Sequence, residues 1–152
     1  MIESSSGNSS KIKPVGVIYI PSSKKDSGVF HKCLRQVGED VNLIQTSIME
    51  CANVGCSSIW ICCDERFQPI IKEIAGNFVK DPISIAKSNF TKFPRDNQVD
   101  IPIYYYMVHP KDRSKRSGPV WDVLNTCLTI YHFSKKISRW VVPEKYYVTS
   151  CF

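Results

Sequence analysis

No run in this sequence approaches the roughly 18 consecutive apolar residues that a membrane-spanning helix requires. The first 13 residues also lack the apolar core of a secretory signal. Both absences argue for an intracellular chain, cytoplasmic or nuclear, that is neither secreted nor held in a membrane. No serine stands in a Gly-x-Ser-x-Gly elbow. His31, His109 and His132 are far apart and lack metal-ligand spacing. No C-x2-C pair surrounds Cys62 and Cys63, and no internal repeat is visible. The usual signatures of serine hydrolases, zinc sites and repeat arrays are therefore missing.

The composition is that of an ordinary globular domain: 43% hydrophobic and 22% charged over 152 residues. That length suits one domain with a real core. Seven cysteines are many, and their number is odd. Without an export signal they read as reduced, buried thiols, each a small apolar residue. The net charge of +6 suits anionic partners such as phosphates or nucleic acid, and equally suits plain solubility. Residues 1–13, with Ser4, Ser5, Ser6, Gly7, Asn8, Ser9 and Ser10, read as a flexible leader.

Four apolar runs read as strands. The first, Pro14 to Pro21, is nearly continuous and argues for burial on both faces, as in a parallel sheet. The second is Ile59 to Cys63, the third Asp100 to Val108 and the fourth Lys145 to Phe152. Pro102 suits an edge position for the third. Helical spacing appears from Asn42 to Val54, with Leu43, Ile44, Ile48, Met49, Ala52 and Val54 as one apolar stripe. Asp40 or Asn42 would cap that helix and Gly55 would end it. A short helix from Phe67 to Ala75 points Ile70, Ile71 and Ile74 inward and stops at Gly76. Residues 77–97 are poorly patterned, with a short helix near Ile83 to Asn89. Gly118-Pro119 opens a long helix to about Ile137, whose apolar positions are Val120, Leu124, Cys127, Leu128, Tyr131 and Ile137. Alternation of strands and helices argues for an α/β fold with a largely parallel sheet. Cys62 and Cys63, adjacent on a strand, point to opposite faces and cannot readily share one metal.

The segment from His31 to Gly76 resembles the first half of the sugar-nucleotidyltransferase family, which has the nucleotide-diphospho-sugar transferase fold. His31-Lys32 and Val37-Gly38 stand where that family has its Lys and Val-Gly turn. Leu43-Ile44 begins the matching helix, Asn53-Val54-Gly55 ends it, and Ser58 to Cys63 is the matching strand. Phe67 to Gly76 fits the short helix that follows. Arg116 to Leu124 is similar to the Gly-bearing turn and helix beside the base. The resemblance implies a three-layer sandwich around a four-stranded, mainly parallel sheet of order 3-2-1-4, incomplete relative to the family. Past the leader over 1–13, it implies a nucleotidyltransferase-like domain over 14–152 that stops short of the family's acceptor-binding half.

The chain departs from the pattern at three places. The phosphate loop, Pro21 to Lys32, is short and holds one glycine, Gly28, although Lys24, Lys25 and Lys32 supply charge. The strand that carries a magnesium-binding Asp in the family reads here Tyr146 to Phe152, without a carboxylate; the nearest acids are Glu144 and Asp122. The sequence also ends on that strand. The resemblance thus implies a domain that binds a nucleotide or other phosphate-bearing ligand through Lys25, Gly28, Lys32, Arg116 and Gly118. Catalysis would be degenerate, no catalytic residue is assigned, and Mg2+ would be needed only if transfer occurs. The alternative is a non-catalytic module that keeps the fold. It would bind a protein at the C-terminal strand, or nucleic acid at Lys111-Asp-Arg-Ser-Lys-Arg116, where four of six residues are cationic. Tyr104, Tyr105 and Tyr106 fit either stacking on bases or strand packing. Asp64-Glu65-Arg66 follows a strand's carboxyl end, where open α/β sheets bind ligands.

Overall fold

In the computed structural model, the described residues are 13–21, 32–88, 99–107, 111 and 118–151. In chain order they form β1 (Val15–Tyr19), β2 (Gln36–Gly38), β3 (Val41–Asn42), α1 (Leu43–Val54), β4 (Ile59–Cys62), α2 (Gln68–Ala75), β5 (Phe78–Lys80), α3 (Pro82–Ser88), β6 (Asp100–Tyr106), α4 (Pro119–Ile137) and β7 (Tyr146–Ser150). Short 3-10 turns lie at Lys32–Leu34 and Arg139–Val141. None of the described helices is long and apolar enough to cross a membrane.

The architecture is α/β. One five-stranded sheet runs in the order β5-β6-β4-β1-β7, parallel throughout except for the β5–β6 pair. The expectation of four strands is corrected by β5, which lies in the stretch the sequence left unpatterned. Three residues are too few to show an alternation, and two of them, Phe78 and Lys80, are exposed. A small antiparallel hairpin, β2 with β3, stands apart from the sheet. Placing β6 at an edge is also corrected: it lies between β4 and β5. Pro102 is tolerated because Ile103 N–H turns toward β5, bonding Asn77 C=O at 2.8 Å. The nitrogen of Pro102 therefore turns toward β4, just before the first β4–β6 rung at Ile59–Ile103, so no ladder bond is lost.

Alternate residues of each strand feed two cores. Ile18, Ile59, Ile61, Cys63, Ile101 and Ile103 face α1 and α2, where they meet Ile44, Ile48, Cys51, Ala52 and Ile71. Val15, Val17 and Trp60 face α4, meeting Cys127 and Ile130; Tyr19, Cys62 and Tyr106 meet Val123 on the same side. Cys62 and Cys63 therefore lie on opposite faces, as strand alternation requires.

Local chemistry sets the helix ends. Asn42 caps α1, and its backbone N–H donates to Gln45 Oε1 at 2.9 Å, half of a reciprocal capping box. Gly55 closes α1 in the left-handed region at φ 88°. The expected stripe on α1 is corrected in part. Met49 and Val54 are exposed, whereas Ser47 and Cys51 are buried. Ser47 is accommodated because its hydroxyl donates to Leu43 C=O at 3.3 Å. On α2, Ile71 is fully buried and Ile74 packs against the core, but Ile70 is 47% exposed and does not point inward.

The largest correction concerns α4. Its covered positions are Val123, Thr126, Cys127 and Ile130. Thr126 is buried with its hydroxyl donating to Asp122 C=O at 2.7 Å. Of the stripe read from the sequence, only Cys127 is among them; Val120, Leu124, Leu128, Tyr131 and Ile137 are exposed. On a helical wheel most of the remainder sit roughly 100° around from the covered line. Phe133, Trp60 and Tyr104 form an aromatic cluster on the other flank, with ring centroids 4.8 and 6.3 Å from Trp60.

Candidate functional site at the carboxyl rim of the sheet

Among the parallel strands β1, β4, β6 and β7 the winding reverses once. From β1 the chain steps through α1 to β4 and through α2 to the edge strand β5, away from β7, and α3 brings it to β6 between them. It then returns across the opposite face through α4 to β7. The reversal places a crevice between the carboxyl ends of β1 and β7, where open doubly wound sheets hold ligands.

Two of the sequence-derived residues flank this crevice from opposite faces. Lys32 is exposed at the start of a 3-10 turn. Its neighbour Cys33 is fully buried, hydrogen-bonded to the thiol of Cys151 directly after β7. That bond, followed by burial, pushes the Cys33 thiol well above its ordinary range. Gly118 caps α4 at φ 157°, with nothing within 4 Å of where a β-carbon would stand. Pro119 follows it and faces Tyr19 and Ser150 across an open trough of about 600 Å3. Lys25, Gly28 and Arg116 lie outside the described residues, as do Lys24 and the segment 112–116.

Sequence reasoning missed a pair at the rim. Tyr19 ends β1, is nearly buried and donates its hydroxyl to the Asp122 carboxylate on α4. Burial first, then the negative charge of Asp122, pushes the phenol up to about 12. In the sequence Asp122 stands out only as an acid near the fourth strand, one helical turn away from where a magnesium ligand belongs. A tyrosine closing an apolar strand carries no sequence signal that it will meet an acid over 100 residues away. Cys62 lies alongside, raised to about 11 mainly by burial.

The remaining candidates are structurally satisfied. Asp64 binds Arg66 through Oδ2 at 3.1 Å and accepts the Arg66 backbone N–H at Oδ1, closing the charged turn on itself. Tyr104 and Tyr106 share the α4 face, whereas Tyr105 points the other way and donates its hydroxyl to Gly76 C=O. Burial holds Cys63 at about 12, so the thiolate that a nucleophile or metal ligand needs is scarce at neutral pH.

Among the described residues the rim offers magnesium no set of carboxylates: Asp122 is engaged by the Tyr19 hydroxyl, and Ser150 at the end of β7 and Cys151 after it offer no hard anionic oxygen. Among the described residues no three His, Cys, Asp or Glu side chains converge as a metal site. Comparison of the chain with family models, with curated proteins and with solved structures finds no match.

Proposed function

We propose that this chain is a phosphate-ligand-binding α/β domain, of nucleotidyltransferase-like design, that holds a nucleotide or related phosphate ester at the β1–β7 rim without catalysing transfer. The observation that carries this reading is the single reversal of winding between β1 and β7, with Lys32 on one side of the crevice and the Gly118 turn on the other.

Each part has a physical role. Lys32 offers a cation on a turn anchored through Cys33 to the end of β7. Lys25 and Gly28 belong to the connection that leaves β1 at this rim, and Arg116 to the one that enters α4. They would add charge and an approachable backbone for an anion. Gly118 leaves room for a planar base against the main chain. Phosphoryl transfer depends on charge neutralisation as well as positioning, and the described rim supplies no carboxylate set for a metal. Binding without turnover follows.

Thermal unfolding with each of the four nucleoside triphosphates, with and without magnesium, tests the reading. A ligand that binds only the folded chain at 100 times its Kd stabilises it by about 2.7 kcal/mol. A concentration-dependent rise in Tm is expected for at least one nucleotide. Lys32→Ala should reduce it, and no inorganic pyrophosphate should be released. No shift at millimolar concentration of any of the four would end the proposal; nucleotide turnover would end its non-catalytic half.

A further inference from the structure

β7 is the outer strand of the sheet, and among the described residues it pairs only with β1. Helix α4 packs mainly over β1 and β4, and of β7 it meets Tyr146, whose hydroxyl donates to Cys127 C=O at 3.2 Å. Past Tyr146 the α4-side face of β7 is open among the described residues, and Val148 at its centre is 48% exposed. Beside this floor rises the side of α4 bearing Leu124 and Leu128, 43% and 46% exposed, with Tyr131 one turn further. Val148 and Leu124 line the apolar trough that begins near Tyr19 and Pro119, and Leu128 and Tyr131 continue the exposed side of α4 beyond it.

Charge selects the occupant. Beyond the trough, the carboxyl end of α4 and the segment that leads into β7 carry Lys135, Lys136, Arg139 and Lys145, all exposed. Lys135 lies 6.0 Å from the Tyr131 ring, on the apolar side of the helix. Glu144 is the one acid in that stretch of sequence from 135 to 145. A second copy of this chain, itself at +6, would bring like charge against like. A helix with apolar residues at i, i+3, i+4 and i+7 and carboxylates on its flanks would meet both the apolar wall and the cations.

We propose that the α4–β7 trough docks an acidic amphipathic helix of a partner protein. The trough adjoins the Lys32–Gly118 crevice at Tyr19 and Pro119, and its variants leave Lys32 and Gly118 intact. Fluorescence anisotropy tests it with a labelled peptide of about 18 residues, leucine at i, i+3, i+4 and i+7 and glutamate at most other positions. Saturable binding in the micromolar range is expected, weakening as salt rises. It should fall at least about tenfold in Leu128→Glu and in Lys135→Glu/Lys136→Glu. Both changes sit at exposed positions, and unchanged Tm and circular dichroism would show that the fold survives. A scrambled peptide of equal composition should bind no better than the variants do. Four results would overturn the proposal. One is no saturation by ~100 µM peptide. Another is equal affinity in the variants or for the scrambled peptide. The third is a dimer in light scattering that Leu128→Glu dissociates. The last is a single-stranded oligonucleotide that displaces the peptide from the wild type and loses its own binding in the same variants.

Discussion

Gly16 on β1 lies beneath Cys51 on α1: a β-carbon at Gly16 would stand 3.1 Å from the Cys51 sulfur and 3.3 Å from that of Cys56. The strand therefore carries a glycine where propensity favours a branched residue, because helix and sheet approach too closely for any side chain. Both cysteines are buried, and Cys56 N–H also bonds Cys51 C=O at 3.2 Å, so neither sulfur has room to retreat.

Gly16→Ala should accordingly cost about 1–3 kcal/mol, the usual range for overpacking a filled core. Gly38 on β2 provides the control, since nothing lies within 4 Å of its β-carbon position. Urea unfolding of both variants checks the difference. Equal midpoints would mean that α1 sits further from β1 than described.

Gly55 is held for a different reason, its backbone conformation. At φ 88° it closes α1, and its N–H reaches the Ala52 and Cys51 carbonyls. An L residue there costs roughly 1–2 kcal/mol, and a β-carbon would also press on Ile83 Cδ1 at 3.1 Å. Gly55→Ala should lower stability by about that amount, with Gly55→Asn milder because asparagine tolerates the left-handed region. If alanine proves no worse than asparagine in chemical denaturation, the left-handed cap is not the cause.

What could be read from the residues follows from how periodicity works. Strands β1, β4 and β7, and helix α1 with its Asn42 and Gly55 ends, announce themselves through apolar spacing and capping chemistry. β5 does not, because a three-residue edge strand with two exposed side chains has no period to detect. The stripe on α4 was visible, but its meaning was not. Sequence spacing shows that Leu124, Leu128 and Tyr131 share a side, and it cannot show that Thr126 and Ile130 face the sheet instead. A buried threonine counts as polar in any pattern, though its hydroxyl is satisfied within its own helix. The reversal between β1 and β7 follows from strand order, whereas the Tyr19–Asp122 contact depends on how α4 is rotated. Lys25, Gly28 and Arg116 remain readings of the sequence.

That contact has a consequence at alkaline pH. Tyr19 and Tyr105 are both raised to about 12, each chiefly by burial, against about 10 in an unfolded chain. Between those values the folded state keeps protons that the unfolded state has lost. Their contribution is complete below pH 10 and disappears as pH rises toward 12. Phenolate absorbance should show a late-titrating fraction that shrinks in Tyr19→Phe, and the loss of urea stability from pH 10 to 12 should be shallower in that variant. A Tyr19→Phe titration superimposable on wild type would remove the Asp122 pairing from the account.

Thiol accessibility probes the packing as a whole. Cys33, Cys51, Cys56, Cys62, Cys63 and Cys151 are buried, and Cys127 alone is intermediate, on the wall of the trough. Burial raises the Cys127 pKa, so even this thiol holds little thiolate near pH 8 and should react more slowly than a free cysteine. With excess aromatic disulfide reagent, one equivalent should react in the native state. The other six should follow at the rate of local or global opening, and all seven should react together in denaturant. Cys127→Ser should abolish the first phase and leave the second unchanged. Two or more equivalents in the first phase, or a first phase that survives Cys127→Ser, would show that one of the two cores is open where the geometry has it closed.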